Sequence, residues 1–185
     1  MFARLAAHWV YGGAMFALVL LALTPLLRPA LGEAGFLVLL TLPIYALHQF
    51  EEHENDRFLT FINTRVLPDR RGLTQVDCFW INVVGVWVLM AADVWLVEKS
   101  GEAGWGLFAA FLILINGLAH VIVTLRLRMA NPGLWTGVIL FLPFGLWSLF
   151  RLWPSATPTQ ISLSLGIVIL GHLAIIAWAA RPKEN

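Results

Sequence analysis

The sequence has little charge and almost no cysteine, and each shortage excludes a class of protein. Cys78 is the only cysteine, which excludes a disulfide within the chain. Only 12% of the 185 residues are Asp, Glu, Lys or Arg, about half the fraction typical of soluble globular domains. The formal net charge is +1 and no basic stripe is present. Nucleic acid is therefore excluded as a partner, because phosphate binding requires clustered Lys and Arg.

Long apolar stretches fill most of the chain. Hydrophobic residues make up 59% of it, and the mean hydropathy is +0.80. Six stretches are long enough to cross the hydrocarbon core of a bilayer, which takes about 20 residues of helix. They cover approximately residues 8–27, 34–50, 75–97, 104–126, 134–153 and 161–180. We therefore predict an all-α, polytopic transmembrane helical bundle that forms one domain over residues 1–185 in the lipid bilayer.

Lys and Arg are distributed unequally between the two sides of this predicted bundle. With six spans, the N-terminus, the second and fourth loops and the C-terminus share one side. That side carries nine basic residues, which are Arg4, Arg57, Arg65, Arg70, Arg71, Arg126, Arg128, Arg181 and Lys183. The other side carries Arg28, Lys99 and Arg151. Because positively charged loops stay in the cytoplasm, we expect a multi-pass protein of the cell (inner) membrane with both termini cytoplasmic.

The connection between the second and third spans is longer than the others. Within it, apolar residues from Phe58 to Leu67 recur at roughly helical spacing beside Arg57, Asn63 and Arg65. This pattern favours a short helix over about residues 55–67 that lies on the cytoplasmic surface. A solvated loop remains the alternative.

Ionisable residues occur where two of the predicted spans approach the cytoplasm. On a helix, Glu51 and Glu52 lie about 60° and 40° to either side of His48, so these three side chains share a face. His53 is turned about 140° from His48 and fits that face less well. In the fourth span, Asn116 and His120 stand four residues apart and share a face in the same way. Ionisable groups inside a membrane are expensive and usually functional.

Two further residues are predicted at a similar depth on other helices. His172 lies roughly two turns from the cytoplasmic end of the last span, and Asp77 enters the third span from the same side. Four helices then contribute to one cytoplasm-facing polar layer. The alternative is structural, with these groups forming hydrogen bonds between helices or the polar end of a span extending towards water.

Imidazole and carboxylate groups at these spacings are typical ligands of zinc, iron or manganese. A mononuclear site of His48, Glu52 and His120 would leave one position open, with Glu51 as general base or as a residue that supports the ligands. Asn116, His172, Asp77 and His53 are the further residues expected around it. A dinuclear site is less favoured, since it would require four carboxylates and two Glu-x-x-His pairs. The His-Glu-x-x-His motif of zinc proteases is absent.

Three short motifs resemble those of the HXXEE-domain family of bacterial integral membrane proteins. His48-Gln-Phe-Glu51-Glu52 matches HXXEE, and Asn116-Gly-Leu-Ala-His120 matches NXXXH. Asn131-Pro132-Gly133 matches the end of the third motif, YNPG, while Ala130 replaces its tyrosine. The resemblance implies a membrane protein of uncharacterised function, and the Asn-Pro-Gly segment itself is typical of a turn.

Three functions are compatible with these residues. The first is a membrane-embedded, metal-dependent enzyme, a hydrolase or an oxidoreductase, that acts on a lipid or another apolar substrate. The second is a small carrier or proton-coupled transporter, favoured by a faint repeat between residues 38–50 and 138–150. The third is a structural membrane subunit in which the polar layer only holds helices together. The sequence carries no signal for an oligomeric state.

Overall fold

A computed structural model describes residues 1–183, and within them the chain is helical without a β-strand. The helices are α1 (Phe2–Leu27), α2 (Glu33–His53), α3 (Arg57–Phe61), α4 (Gln75–Ser100), α5 (Ala103–Leu127), α6 (Leu134–Ser155) and α7 (Pro158–Ala179). Together they form six segments that are long and apolar enough to cross a membrane, and the second of these, Glu33–Val66, runs from α2 through the short α3. The predicted all-α bundle of six spans is therefore confirmed. The last two residues of the predicted domain, 184 and 185, lie outside the described residues.

Local sequence signals place several helix ends. Thr74 and Asp77 form a reciprocal capping box at the start of α4, which satisfies backbone N–H groups that have no partner within the helix. Gly101, with φ of +70°, ends α4 in the left-handed conformation that glycine adopts without strain. Thr157 and Gln160 cap α7, and Pro158 occupies its first turn.

The two central helices of the bundle are α2 and α5. In each, 56% of the most apolar stretch is buried, whereas the corresponding value for α7 is 11%. Leu37, Val38, Leu107, Ile113 and Phe141 are among the fully buried side chains of the main core. Apolar side chains on the outer helices are exposed, as expected where lipid is the surrounding solvent. Polar residues on the inner faces of α2 and α5 are thus shielded from lipid by protein.

Contacts at the two ends of the bundle fix which helix termini lie together. At one end, Arg151 near the end of α6 forms an ion pair with Glu33 at the start of α2. At the other end, Arg71 forms an ion pair with Asp77, and Trp178 of α7 donates a hydrogen bond to the same carboxylate. The C-terminal ends of α2 and α5 and the start of α6 share this second end.

The segment after α2 turns sharply and then becomes helical again. Asn55 and Asp56 have positive φ angles of 55° and 54°, which produces a kink between the two helices. The helix α3 follows and continues as one π-helical turn over Ile62–Val66. Residues 57–66 are therefore helical, within the range in which the sequence favours a surface helix.

Candidate metal centre

Three buried side chains from α2 and α5 converge at the second end of the bundle. The Nε2 atom of His48 lies 3.5 Å from Oε2 of Glu52, and Nε2 of His120 lies 3.5 Å from Oε1 of the same carboxylate. His48 is fully buried, and Glu52 and His120 are 5% and 7% exposed. Helical spacing explains the pairing on α2, because residues four apart stand above one another on one face.

The separations match the space that a metal ion requires. One ligand atom from each of His48, Glu52 and His120 lies within 4.8 Å of the other two. Ligands bound tetrahedrally at 2.0–2.1 Å are about 3.3 Å apart. Both nitrogen–oxygen distances of 3.5 Å are close to that value. This group of residues could therefore hold a metal ion with little rearrangement.

Thr136 of α6 orients the imidazole of His48 through the ring nitrogen Nδ1. The Thr136 hydroxyl donates to Oε2 of Glu51, so its oxygen accepts from Nδ1–H of His48 at 2.8 Å. A neutral histidine that donates through Nδ1 carries its lone pair on Nε2. That lone pair of His48 faces Glu52, and Nε2 has no hydrogen-bond partner among the described residues.

Asn131, in the loop before α6, orients the imidazole of His120 in the same way, through Nδ1. The amide nitrogen of Asn131 donates to the His120 backbone carbonyl at 2.8 Å and to the Thr124 hydroxyl at 2.7 Å. Its amide oxygen must therefore accept from Nδ1–H of His120, at 2.6 Å. The lone pair on Nε2 of His120 then also faces Glu52.

The consequence is a buried group of acceptors that face one another. Two imidazole lone pairs and two carboxylate oxygens meet without a donor among them. Buried acceptors repel one another in a low-dielectric interior unless positive charge lies between them. A proton or a metal ion supplies that charge, and hydrogen bonds behind the ligating atoms are the usual way in which proteins orient histidine ligands.

Glu51 lies beside this group and binds the start of α6. Its carboxylate accepts hydrogen bonds from the backbone N–H groups of Trp135 and Thr136, at 3.2 and 2.7 Å, and from the Thr136 hydroxyl. Negative charge at a helix N-terminus is favourable because unpaired N–H groups and the helix dipole are directed towards it. Glu51 therefore holds α6, and with it Thr136, against α2.

Gly133 and Phe141 close the space around the two imidazoles. A Cβ atom at Gly133 would lie 2.6 Å from Cε1 of His120 and 2.8 Å from Cε1 of His48. Gly133 also has φ of +89°, which residues with a side chain rarely adopt. The ring of Phe141 packs on His48 with centroids 4.1 Å apart. Only glycine allows the loop over residues 131–133 to cover both histidines this closely.

His53 also lies beside the Glu52 carboxylate. Its Nε2 lies 3.2 Å from Oε2 of Glu52 and 3.3 Å from the amide nitrogen of Asn82. Asn82 is oriented in turn by Gln49, which donates to its amide oxygen at 2.8 Å, and Gln49 accepts from Nε1 of Trp87 at 2.7 Å. These hydrogen bonds link Trp87 and Asn82 of α4 to His53, which lies beside the carboxylate.

The remaining residues predicted for the polar layer lie apart from the cluster. Asn116 donates to the Tyr45 hydroxyl at 3.0 Å, and the Tyr45 ring contacts His48, so Asn116 lies one contact away. His172 is bound to the carbonyl of Val168, one turn earlier on its own helix. Asp77 caps α4 and pairs with Arg71. The structure does not bring His172 or Asp77 to the cluster.

Sequence patterns gave little sign of the residues behind the cluster. Thr136 and Asn131 orient the two imidazoles, yet Asn131 has only the features of a turn residue and Thr136 those of a polar residue near a helix start. Their contacts join positions 88 and 11 residues apart. The available signal was the closeness of the Asn-Pro-Gly segment to His120 in the chain.

Fold and site together define a class of protein, the multi-pass helical membrane protein with a buried His/Glu cluster. Residues 39–148 match the model of a family described as "Protein of unknown function with HXXEE motif". The match covers more than half of the chain, and the protein belongs to this family, as the three motifs suggested. Comparisons with curated proteins and with solved structures found no match.

Proposed function

We propose that the protein is a metal-dependent enzyme embedded in the cell (inner) membrane, with its site at the end of the bundle that faces the cytoplasmic leaflet. Zinc, iron or manganese would be held by His48, Glu52 and His120. Two buried imidazole rings support this proposal. Each ring is held by a hydrogen bond at Nδ1 and directs the lone pair on Nε2 towards the Glu52 carboxylate. A protein that used these residues only to join helices would be expected to pair donors with acceptors there.

The substrate class that suits this position is a lipid or another apolar molecule. A bound metal at such a site supplies Lewis acidity for hydrolysis or a redox centre for oxidation. The residues of the chain would then divide the remaining tasks. Thr136 and Asn131 orient the imidazoles, and His53 packs beside the Glu52 carboxylate. We assign Glu51 a positioning role, because both of its oxygens are already bound by donors at the start of α6.

Elemental analysis of the detergent-purified protein tests this proposal. We expect about one equivalent of a transition metal in the wild type and its loss in His48→Ala. His172→Ala is the matched control, since this histidine lies outside the cluster, and it should retain the metal. Wild-type protein that remains metal-free after expression and incubation with zinc, iron and manganese would contradict the proposal.

The hydrogen bond behind His48 should contribute to metal affinity. Thr136→Val removes the hydroxyl that accepts from Nδ1–H of His48, so the ring loses its preferred orientation. We expect the metal dissociation constant to rise about 10-fold to 100-fold, measured by competition with a chelating dye. The exposed Thr159 at the other end of the bundle provides the control Thr159→Val. Equal affinities for both variants would show that the Thr136 contact has no role in binding.

A carrier is the second candidate function, favoured by a buried carboxylate elsewhere in the bundle. Asp93 of α4 is 6% exposed, and its Oδ2 has no hydrogen-bond partner among the described residues. Intramembrane carboxylates of this kind often mark ion pathways. The divalent metal itself would then be the cargo. Saturable uptake of zinc or manganese into proteoliposomes, lost in Asp93→Asn, would favour the carrier, and retention of metal without uptake would favour the enzyme.

A further inference from the structure

A groove of about 450 Å³ lies beside the loop that covers the metal-binding cluster. One wall is the exposed face of the helical segment from Arg57 to Arg65, and the other includes Met129 and Pro132. Pro132 stands between Asn131, which binds His120, and Gly133, which covers both histidines. A molecule in the groove would therefore be separated from the cluster by one stretch of backbone.

The polar side of the groove has unpaired positive charge. Arg65 is exposed, and within residues 1–183 it forms neither an ion pair nor a side-chain hydrogen bond. Arg57, two helical turns away, is held by Glu54 at 3.3 Å and by backbone carbonyls, so much of its charge is compensated. Thr60 also lines the groove and is exposed. Arginine and hydroxyl groups together are typical ligands of phosphate.

The apolar side of the groove distinguishes its occupant from a free anion. Phe61, Met129 and Pro132 contribute hydrocarbon surface, and the groove opens at the end of the six spans, where lipid headgroups lie. A molecule with a phosphate head and an apolar tail satisfies both sides. The cytoplasmic leaflet is also the one that carries anionic lipids.

We propose that this groove binds the phosphate headgroup of an anionic lipid, with Arg65 as its main charged contact. This inference rests on the proposed function and deepens it, since it identifies the substrate class of the metal site as a phosphate-bearing lipid. The headgroup would lie against Thr60 and Arg65, and the adjoining part of the lipid would lie along Pro132 towards the cluster.

Calorimetric titration of the detergent-purified protein tests the groove with three probes. These are dihexanoyl phosphatidic acid, dihexanoyl phosphatidylcholine and inorganic phosphate, the first two below their micelle concentrations. We expect the wild type to bind phosphatidic acid most tightly. Arg65→Gln should weaken that binding about 10-fold, because a charge-assisted contact is lost. Thr60→Val should weaken it about threefold. The control is Arg4→Gln, an exposed arginine on α1 outside the groove, which should bind as the wild type does.

Three outcomes would overturn the inference. Equal affinity for phosphatidic acid and phosphatidylcholine would show that charge is not recognised. Inorganic phosphate that binds as tightly as the lipid would indicate a free-anion site. An unchanged affinity in both Arg65→Gln and Thr60→Val would exclude the groove. Metal analysis of the same samples separates the two proposals. Metal without lipid binding refutes only this inference. Lipid binding without metal refutes the proposed function, and with it the assignment of the lipid as substrate, but leaves the groove as a lipid-binding site.

Discussion

Replacement of Gly133 by alanine is expected to abolish metal binding and to lower the thermal stability of the protein. The new methyl group would lie within 3 Å of ring atoms of both His120 and His48, so the imidazoles would have to move apart. The positive φ of 89° adds backbone strain. Together these effects should cost about 3 kcal/mol, equivalent to roughly 6–12 °C in the unfolding temperature of a chain of this size.

The control for this variant is Gly166→Ala. Gly166 lies within α7, and no heavy atom would lie within 4 Å of an added Cβ. Alanine there should leave metal content unchanged and keep or slightly raise stability, because alanine is the better helix former. Unfolding temperature and metal content should be measured for both variants in the same detergent. A Gly133→Ala variant that keeps one equivalent of metal at wild-type affinity would show that the loop does not constrain the histidines.

The architecture of six helices could be predicted from sequence because a membrane constrains the length and the backbone pairing of each span. Each span must be about 20 apolar residues long, and every backbone polar group must be paired within a helix. Hydropathy alone therefore predicted the six helices. The short helix after α2 was one of two open alternatives, since its boundaries depend on the turn at Asn55 and Asp56, which has no strong sequence signal.

The sequence predicted the His/Glu cluster only in part. Helical spacing placed His48 and Glu52 on one face, and depth in the membrane related them to His120. Depth does not determine how a helix is rotated about its axis, so it could not show that His172 and Asp77 have their contacts outside the cluster. The roles of Thr136 and Gly133 depend on how α6 packs against α2, and no local pattern encodes that contact.

Glu52→Gln is expected to abolish metal binding without destabilising the metal-free protein. The amide removes the negative charge and a carboxylate ligand, so the metal dissociation constant should rise by at least about 100-fold. The same amide places an N–H donor opposite one of the two imidazole nitrogens that now face only acceptors. In the metal-free state, Glu52→Gln should therefore unfold at the same temperature as the wild type or at a higher one.

This comparison separates a metal site from a structural polar cluster. If Glu52 served to hold α2 against α5 through a charged pair with a protonated histidine, its loss would leave a buried positive charge unpaired. Such a loss usually costs about 3–5 kcal/mol, and the metal-free variant would unfold well below the wild type. Glu33→Gln, which weakens only the exposed pair with Arg151 at the other end, should change neither metal content nor stability appreciably. Thermal unfolding of all three proteins, with and without chelator, tests whether the carboxylate is kept for a metal ion or for the fold.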